Sequence, residues 1–289
     1  MSIRVVLIPL FGSEPDSFCL RAGLAVAKRF GAHVEGLFVR IDPADVVPVI
    51  GEGVSPAVVM QLTQAAAAEI ERQSAAARGA LEVACEESGI ALADRPDRGG
   101  AASARWIELT GRRDEMIPRR ARVSDLTVLA RQHEQAPPEL NAVLEPTLFG
   151  AGRPLLIVPP GGARELGRTI AIAWNGATEA ARAVGWALPF LETAGAVHCL
   201  TAQTRRTHAD IAADLVDYLE WRGVACARHA VAAEEGEPVA AALLRIAGEI
   251  GADLLVMGGY GRTRLSELVL GGVTRHVLAE AELPLLISH

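Results

Sequence analysis

The chain is short of lysine, aromatic residues, paired cysteines and long apolar runs. Lys28 is its single lysine, the other basic residues being arginine, and this bias carries no functional weight. With 28 basic against 35 acidic residues, a net charge of −7 and a pI near 5.6, the chain has no general attraction for nucleic acid or anionic membranes. No apolar stretch approaches the roughly 18 residues that a spanning helix needs. Val5 to Phe11 is too short for a signal-peptide core and no small-residue cleavage pattern follows it, so a cytoplasmic protein is expected. Cys19, Cys85, Cys199 and Cys226 lack the C-x-x-C spacing of a zinc or redox site, so free, buried thiols are expected. His198, His229 and His276 have no Asp or Glu at metal spacing, and no metal site is expected. The G-x-S-x-G elbow is absent, and no nucleophile, base and orienting acid can be assembled into a hydrolase. Trp106, Trp174, Trp186 and Trp221 read as core or junction residues rather than a base-stacking platform.

Half of the 289 residues are apolar, enough for two ordinary cores. Val5 to Ile8 reads as a buried strand, Phe11-Gly12-Ser13 as a turn, Cys19 to Phe30 as a helix and His33 to Val39 as a second strand. The same phrase returns later. Thr169 to Ala173 is a strand, Asn175-Gly176 a turn, Thr178 to about Thr193 a helix and Val197 to Ala202 a strand. Gly12 matches Gly176, and Gly31 matches Gly195, at an offset of 164 positions. The ends of the two copies correspond as well: Ser124-Asp125-Leu126-Thr127-Val128-Leu129 with Ala252-Asp253-Leu254-Leu255-Val256-Met257 at 128, and Pro154 to Val158 with Pro284 to Ser288 at 130.

The falling offset puts extra residues in the middle of the first copy, where Pro56 to Glu87 reads as a long alanine-rich helix. The second copy continues with a helix from about Thr207 to Arg222, a strand near Ala225 to Val231 and a helix from about Pro238 to Ile250. The breaker cluster Pro159-Pro160-Gly161-Gly162 marks a linker near residues 159 to 167. The expected architecture is α/β: two tandem doubly wound domains, residues 1–160 and 166–289. Each is a mostly parallel five-stranded sheet in the order 3-2-1-4-5, with helices on both faces and any ligand at the carboxyl ends of the strands.

After the strand ending at Met257 comes Gly258-Gly259-Tyr260-Gly261-Arg262-Thr263-Arg264, running on to Gly271-Gly272-Val273-Thr274 ahead of a helix. Glycines let backbone N–H groups approach an anion, and a helix N-terminus attracts phosphate. Arg262 is the better placed of the two loop arginines to neutralise phosphate, Tyr260 can stack on a base or line the crevice, and Thr274 offers a hydroxyl. The G-x-x-x-x-G-K spacing of a Walker A loop is absent. The plainer reading, in which these glycines serve tight turns and close helix packing, is equally open on spacing alone.

Gly258, Gly261 and Gly271, with nine residues between the last two, resemble the phosphate loop of the universal stress protein family. So do the flanking Asp-Leu-Leu-Val-Met-Gly strand and the final Pro plus apolar strand. The resemblance covers both copies. It implies adenine-nucleotide binding, ATP with or without magnesium, by the second domain: the loop, including Met257, Gly258, Tyr260, Gly261, Arg262, Gly271, Gly272, Val273 and Thr274, would hold phosphates. Ala173, Trp174 and Asn175, after the first strand, would hold adenine and ribose.

Asn175 stands where the family has an aspartate, and Gly272 where it has Ser or Thr. In the first copy Phe11 takes the aspartate position and Ala130-Arg131-Gln132-His133 replaces the glycine loop, so that site is expected to be inactive. The resemblance also implies pairing through the last strands, Pro154 to Val158 with Pro284 to Ser288, and a possible homodimer. Three functions stay open: a nucleotide-responsive stress module, a ligand-independent interaction scaffold, and a weak ATPase.

Overall fold

The computed structural model describes residues 2–43, 56–96, 100–131, 138–162, 166–202, 211–260 and 272–289, with the side chains of 138–141 excepted. The chain forms two compact units, one of Arg4–Thr127 with Pro137–Ala151 and the other of Met1–Ile3, Val128–Ala136 and Gly152–His289.

In the first unit β1 (Val5–Leu10), α1 (Pro15–Phe30) and β2 (His33–Arg40) make the opening βαβ element. α1 begins four residues before Cys19, because Pro15 at the first turn has its φ preset for a helix and Asp16 follows in that turn. It stops at Gly31, which adopts φ 62° and returns its N–H to the Ala27 carbonyl. The alanine-rich stretch is α2 (Pro56–Ser88), one residue longer than expected. A two-residue β3 (Ala91–Leu92), absent from the sequence reading, pairs with β4 (Ser103–Thr110). After α3 (Arg113–Ala121) and the start of β5 (Leu126–Ala130), the order is β3-β4-β2-β1-β5, all parallel. α4 (Pro138–Gly150) completes this unit.

The second unit contains β6 (Leu155–Val158), β7 (Thr169–Ala173), α5 (Thr178–Leu191), β8 (Ala196–Ala202), α6 (Ile211–Glu220), β9 (Ala227–Val231), α7 (Val239–Glu249), β10 (Leu254–Gly258), α8 (Gly272–Glu280) and β11 (Leu285–Ser288). Strands β9-β8-β7-β10-β11 are parallel and realise the expected 3-2-1-4-5 order. β6 joins β11 antiparallel, Leu156 opposite Leu286. Ile170, Ala171, Ile172, Leu254, Leu255, Val256, Leu286 and Ile287 are fully buried, as expected of strands covered on both faces. Trp221 departs from its expected core role: it lies in the turn after α6 and is 90% exposed. Cys19, Cys85 and Cys199 are buried free thiols, and Cys226 is half-buried.

Both copies repeat one device at the amino ends of the strands. The Asp125 carboxylate accepts the Arg4 and Val5 N–H groups at 2.8 and 3.0 Å. Asp253 accepts those of Gly167, Arg168 and Thr169 at 2.7 to 3.2 Å. These aspartates, shared by the two matching sequence words, clamp the start of β1 and β7 to the neighbouring strand. Charged acceptors make such bonds about twice as strong as neutral ones.

Candidate functional site

In the second unit Ala173 lies opposite Met257 in the ladder, so β7 and β10 end at the same level and their loops leave side by side. This is the carboxyl-end crevice of a doubly wound sheet. Trp174 is fixed twice: its backbone N–H donates to the Leu200 carbonyl at 2.9 Å, and its indole N–H to the Ile211 carbonyl at 2.8 Å. The Asn175 Oδ1 accepts the Ala177 N–H at 3.0 Å, and Gly176 turns the chain with φ 71° into the first turn of α5. Asn175 is therefore a turn-former, exposed at the crevice rim.

Gly258 has a packing reason for its identity. A Cβ there would sit 2.5 Å from the Ala180 nitrogen and 2.7 Å from the Glu179 carbonyl carbon, both main chain of α5. The missing side chain lets the first turn of α5 press against the end of β10, which is the plainer of the two readings of this glycine. Gly259 then donates to the Ser288 carbonyl at 2.8 Å and its own carbonyl meets His289 Nδ1 at 3.0 Å. Tyr260 is the one non-glycine residue with positive φ among those described, at 51°. Holding it there costs about 1 kcal/mol, a type of strain that clusters at functional sites. Its N–H donates to the buried Thr274 hydroxyl at 3.3 Å, tying the loop's departure to the first turn of α8, which starts at Gly272; Val273 is exposed beside it. Gly261, Arg262 and Gly271 lie outside the described residues. The structure thus brings together Ala173, Trp174, Asn175, Met257, Gly258, Tyr260, Gly272, Val273 and Thr274 at one end of one sheet.

The corresponding corner of the first unit is occupied by the chain itself. Asp16, at the position matching Ala180, is 2% exposed, and its carboxylate accepts the N–H groups of Phe11 at 3.0 Å and Gly12 at 2.8 Å. Burial pushes its pKa up to about 6 despite these hydrogen bonds and the nearby Arg113. The Arg113 guanidinium lies 5.3 Å from the Phe11 ring centroid and 5.9 Å from that of Phe38. From α2, the Gln73 main chain presses on Gly12, where a Cβ would meet its carbonyl oxygen at 2.4 Å. At the matching Gly176 the nearest atoms are the Ile211 side-chain tip at 3.4 Å. Gln73 and Arg113 escaped the sequence reading because they are distant in sequence from Gly12 and belong to no motif, and Asp16 because nothing local marks a carboxylate for burial. An acidic residue directly after the helix-starting Pro15 was the one signal available.

Two domains of this fold, the first with its strand-end corner built over, define a tandem doubly wound α/β protein. Residues 167–289 match the universal stress protein family. That match covers the second domain, and the first repeats the same doubly wound fold, as expected from the sequence. A universal stress protein from Archaeoglobus fulgidus DSM 4304 aligns with 98% of this chain and 97% of its own, with TM-score 0.67 and 18% identity. The protein PA1789 from Pseudomonas aeruginosa PAO1, described as functionally unknown, aligns with 99% and 92%, with TM-score 0.56 and 15% identity. At these identities the similarity is one of fold. The universal stress protein MJ0577 of Methanocaldococcus jannaschii is 38% identical over 45 residues, 16% of this chain and 28% of its own length. No described helix is long and apolar enough to cross a membrane.

Proposed function

We propose that this stress-response protein binds an adenine nucleotide, ATP, in the crevice of its second domain and uses occupancy to change its interactions with partners. The observation that carries this reading is the strained Tyr260: a non-glycine residue in the left-handed region, its N–H held by buried Thr274 at the start of α8. That hydrogen bond puts the end of β10 beside the first turn of α8, and helix N-termini, with unsatisfied N–H groups and about half a positive charge, favour phosphate. Ala173, Trp174 and Asn175 stand beside it for the base and sugar. Asn175 offers a neutral amide instead of a carboxylate, so ribose binding is weaker than in a site with aspartate. Magnesium would accompany the phosphates. The proposed domain limits are 1–160 and 166–289.

A second reading, a ligand-independent scaffold, has its own support. Gly258 is explained by contact with α5 and the Asn175 Oδ1 by the Ala177 N–H, so both residues have structural work without a ligand. Calorimetric titration of the full chain with magnesium ATP separates the two. Saturable binding at one site per chain supports the nucleotide module, and phosphate release measured in the same samples tests slow hydrolysis. No binding at millimolar ATP, with no nucleotide retained from expression, overturns it in favour of the scaffold.

A further inference from the structure

A pair of histidines in the second unit plays no part in the nucleotide crevice. His198 on β8 and His229 on β9 are 31 residues apart in sequence but lie on neighbouring parallel strands. His198 stands opposite Ala227 and Leu200 opposite His229, so the two imidazoles are diagonal neighbours. The period-two alternation of strand side chains puts both on one face. Their rings are 5.0 Å apart between centroids and tilted by 51°, and His198 Nδ1 faces His229 Nε2 at 2.9 Å. Both residues are half-buried, so dissolved cations can reach them.

We propose that His198 and His229 form a two-imidazole site for a divalent transition-metal ion. Two nitrogens bound to one tetrahedral ion at about 2.0–2.1 Å lie about 3.3 Å apart, by the geometry of the tetrahedron. The observed separation is within half an ångström of that, so a small rotation of each ring replaces the hydrogen bond with a shared ion. The exchange balances. In the neutral pair one of the facing nitrogens carries the bridging hydrogen. Moving it to the remote nitrogen of the same ring frees both lone pairs without net loss of a proton.

Burial and the neighbouring His229 keep the His198 pKa below its ordinary value, which favours the neutral, ligating form at physiological pH. Imidazole selects zinc, copper and nickel over magnesium and calcium. Among the described residues no third His, Cys, Asp or Glu joins the pair.

The test is titration of the untagged, nucleotide-free full chain with nickel(II) chloride, together with electron paramagnetic resonance of the copper(II) form. One saturable site per chain is expected, with hyperfine structure from two imidazole nitrogens. His198→Ala and His229→Ala should each lower affinity at least tenfold with the circular dichroism spectrum unchanged, while His276→Ala leaves it intact. Binding unaffected by either strand histidine, or absent at submillimolar nickel, overturns the proposal. So does a wild-type copper spectrum with one coordinating nitrogen, a readout that does not depend on the variants folding.

Discussion

The two domains start from the same strand, turn and helix and have exchanged where they are tight. In the first, the turn after β1 is pressed by α2 main chain at Gly12 and sealed by Asp16, while the end of β5 has room for the side chain of Ala130. In the second, the turn after β7 meets a side-chain tip at Gly176, and the main-chain contact has moved to Gly258 against α5. The difference shows how a duplicated fold fills in a strand-end corner. The sheet is kept, an enlarged helix closes over the turn, and a carboxylate of the chain itself takes the backbone N–H groups at the corner.

The sharpest way to break this comparison is Gly258→Val. Its Cβ would collide with α5 main chain, so it should destabilise the second domain by about 3 kcal/mol, the upper end of overpacking costs, read as a lower urea midpoint. A midpoint within error of wild type would mean that α5 does not need the glycine.

Next in size is Asp16→Asn, which probes the sealed corner through pH. The folded pKa of Asp16, about 6, lies above its ordinary value of 3.8, so the folded state binds the extra proton. Its contribution is therefore fully present below about pH 4, is lost as pH rises to about 6, and stays lost above. Over that window wild type should lose up to about 3 kcal/mol relative to the variant, measured as the difference between the two urea midpoints at each pH. A difference independent of pH would show that Asp16 is not held protonated by burial.

At the crevices, Gly261→Trp should weaken nucleotide binding at least a hundredfold, about 2.7 kcal/mol, whereas Phe11→Ala should leave it unchanged. Equal losses in calorimetry would erase the asymmetry between the domains. The smallest effect is expected of Asn175→Asp, which keeps an oxygen for the Ala177 N–H and restores a charged acceptor at the rim. It should tighten ATP binding up to about tenfold; unchanged affinity would mean that the rim carboxylate makes no contact with the ligand.

Much of this comparison was legible before any coordinates. β7 has the bounds that its apolar run implied, because burial on both faces is a local signal. The paired turns at Gly12 and Gly176 were visible as a repeat, and both have φ near 70°. What escaped is the work of residues that meet only in three dimensions: Gln73 on Gly12, Asp16 on Phe11, Glu179 and Ala180 on Gly258. Trp221 was misread because hydrophobicity alone does not say which way a turn residue faces. The loop glycines were read for anion binding and packing together, and Gly258 turned out to have packing work of its own.

The aspartate clamps at Asp125 and Asp253 sit at the opposite ends of the strands from the contrasting turns at Gly12 and Gly176. This makes the protein modular along its strands as well as along its chain. The amino-end rim is anchored alike in both copies, so the turns at the carboxyl-end rim can be rewritten in either half while the anchoring rim stays untouched.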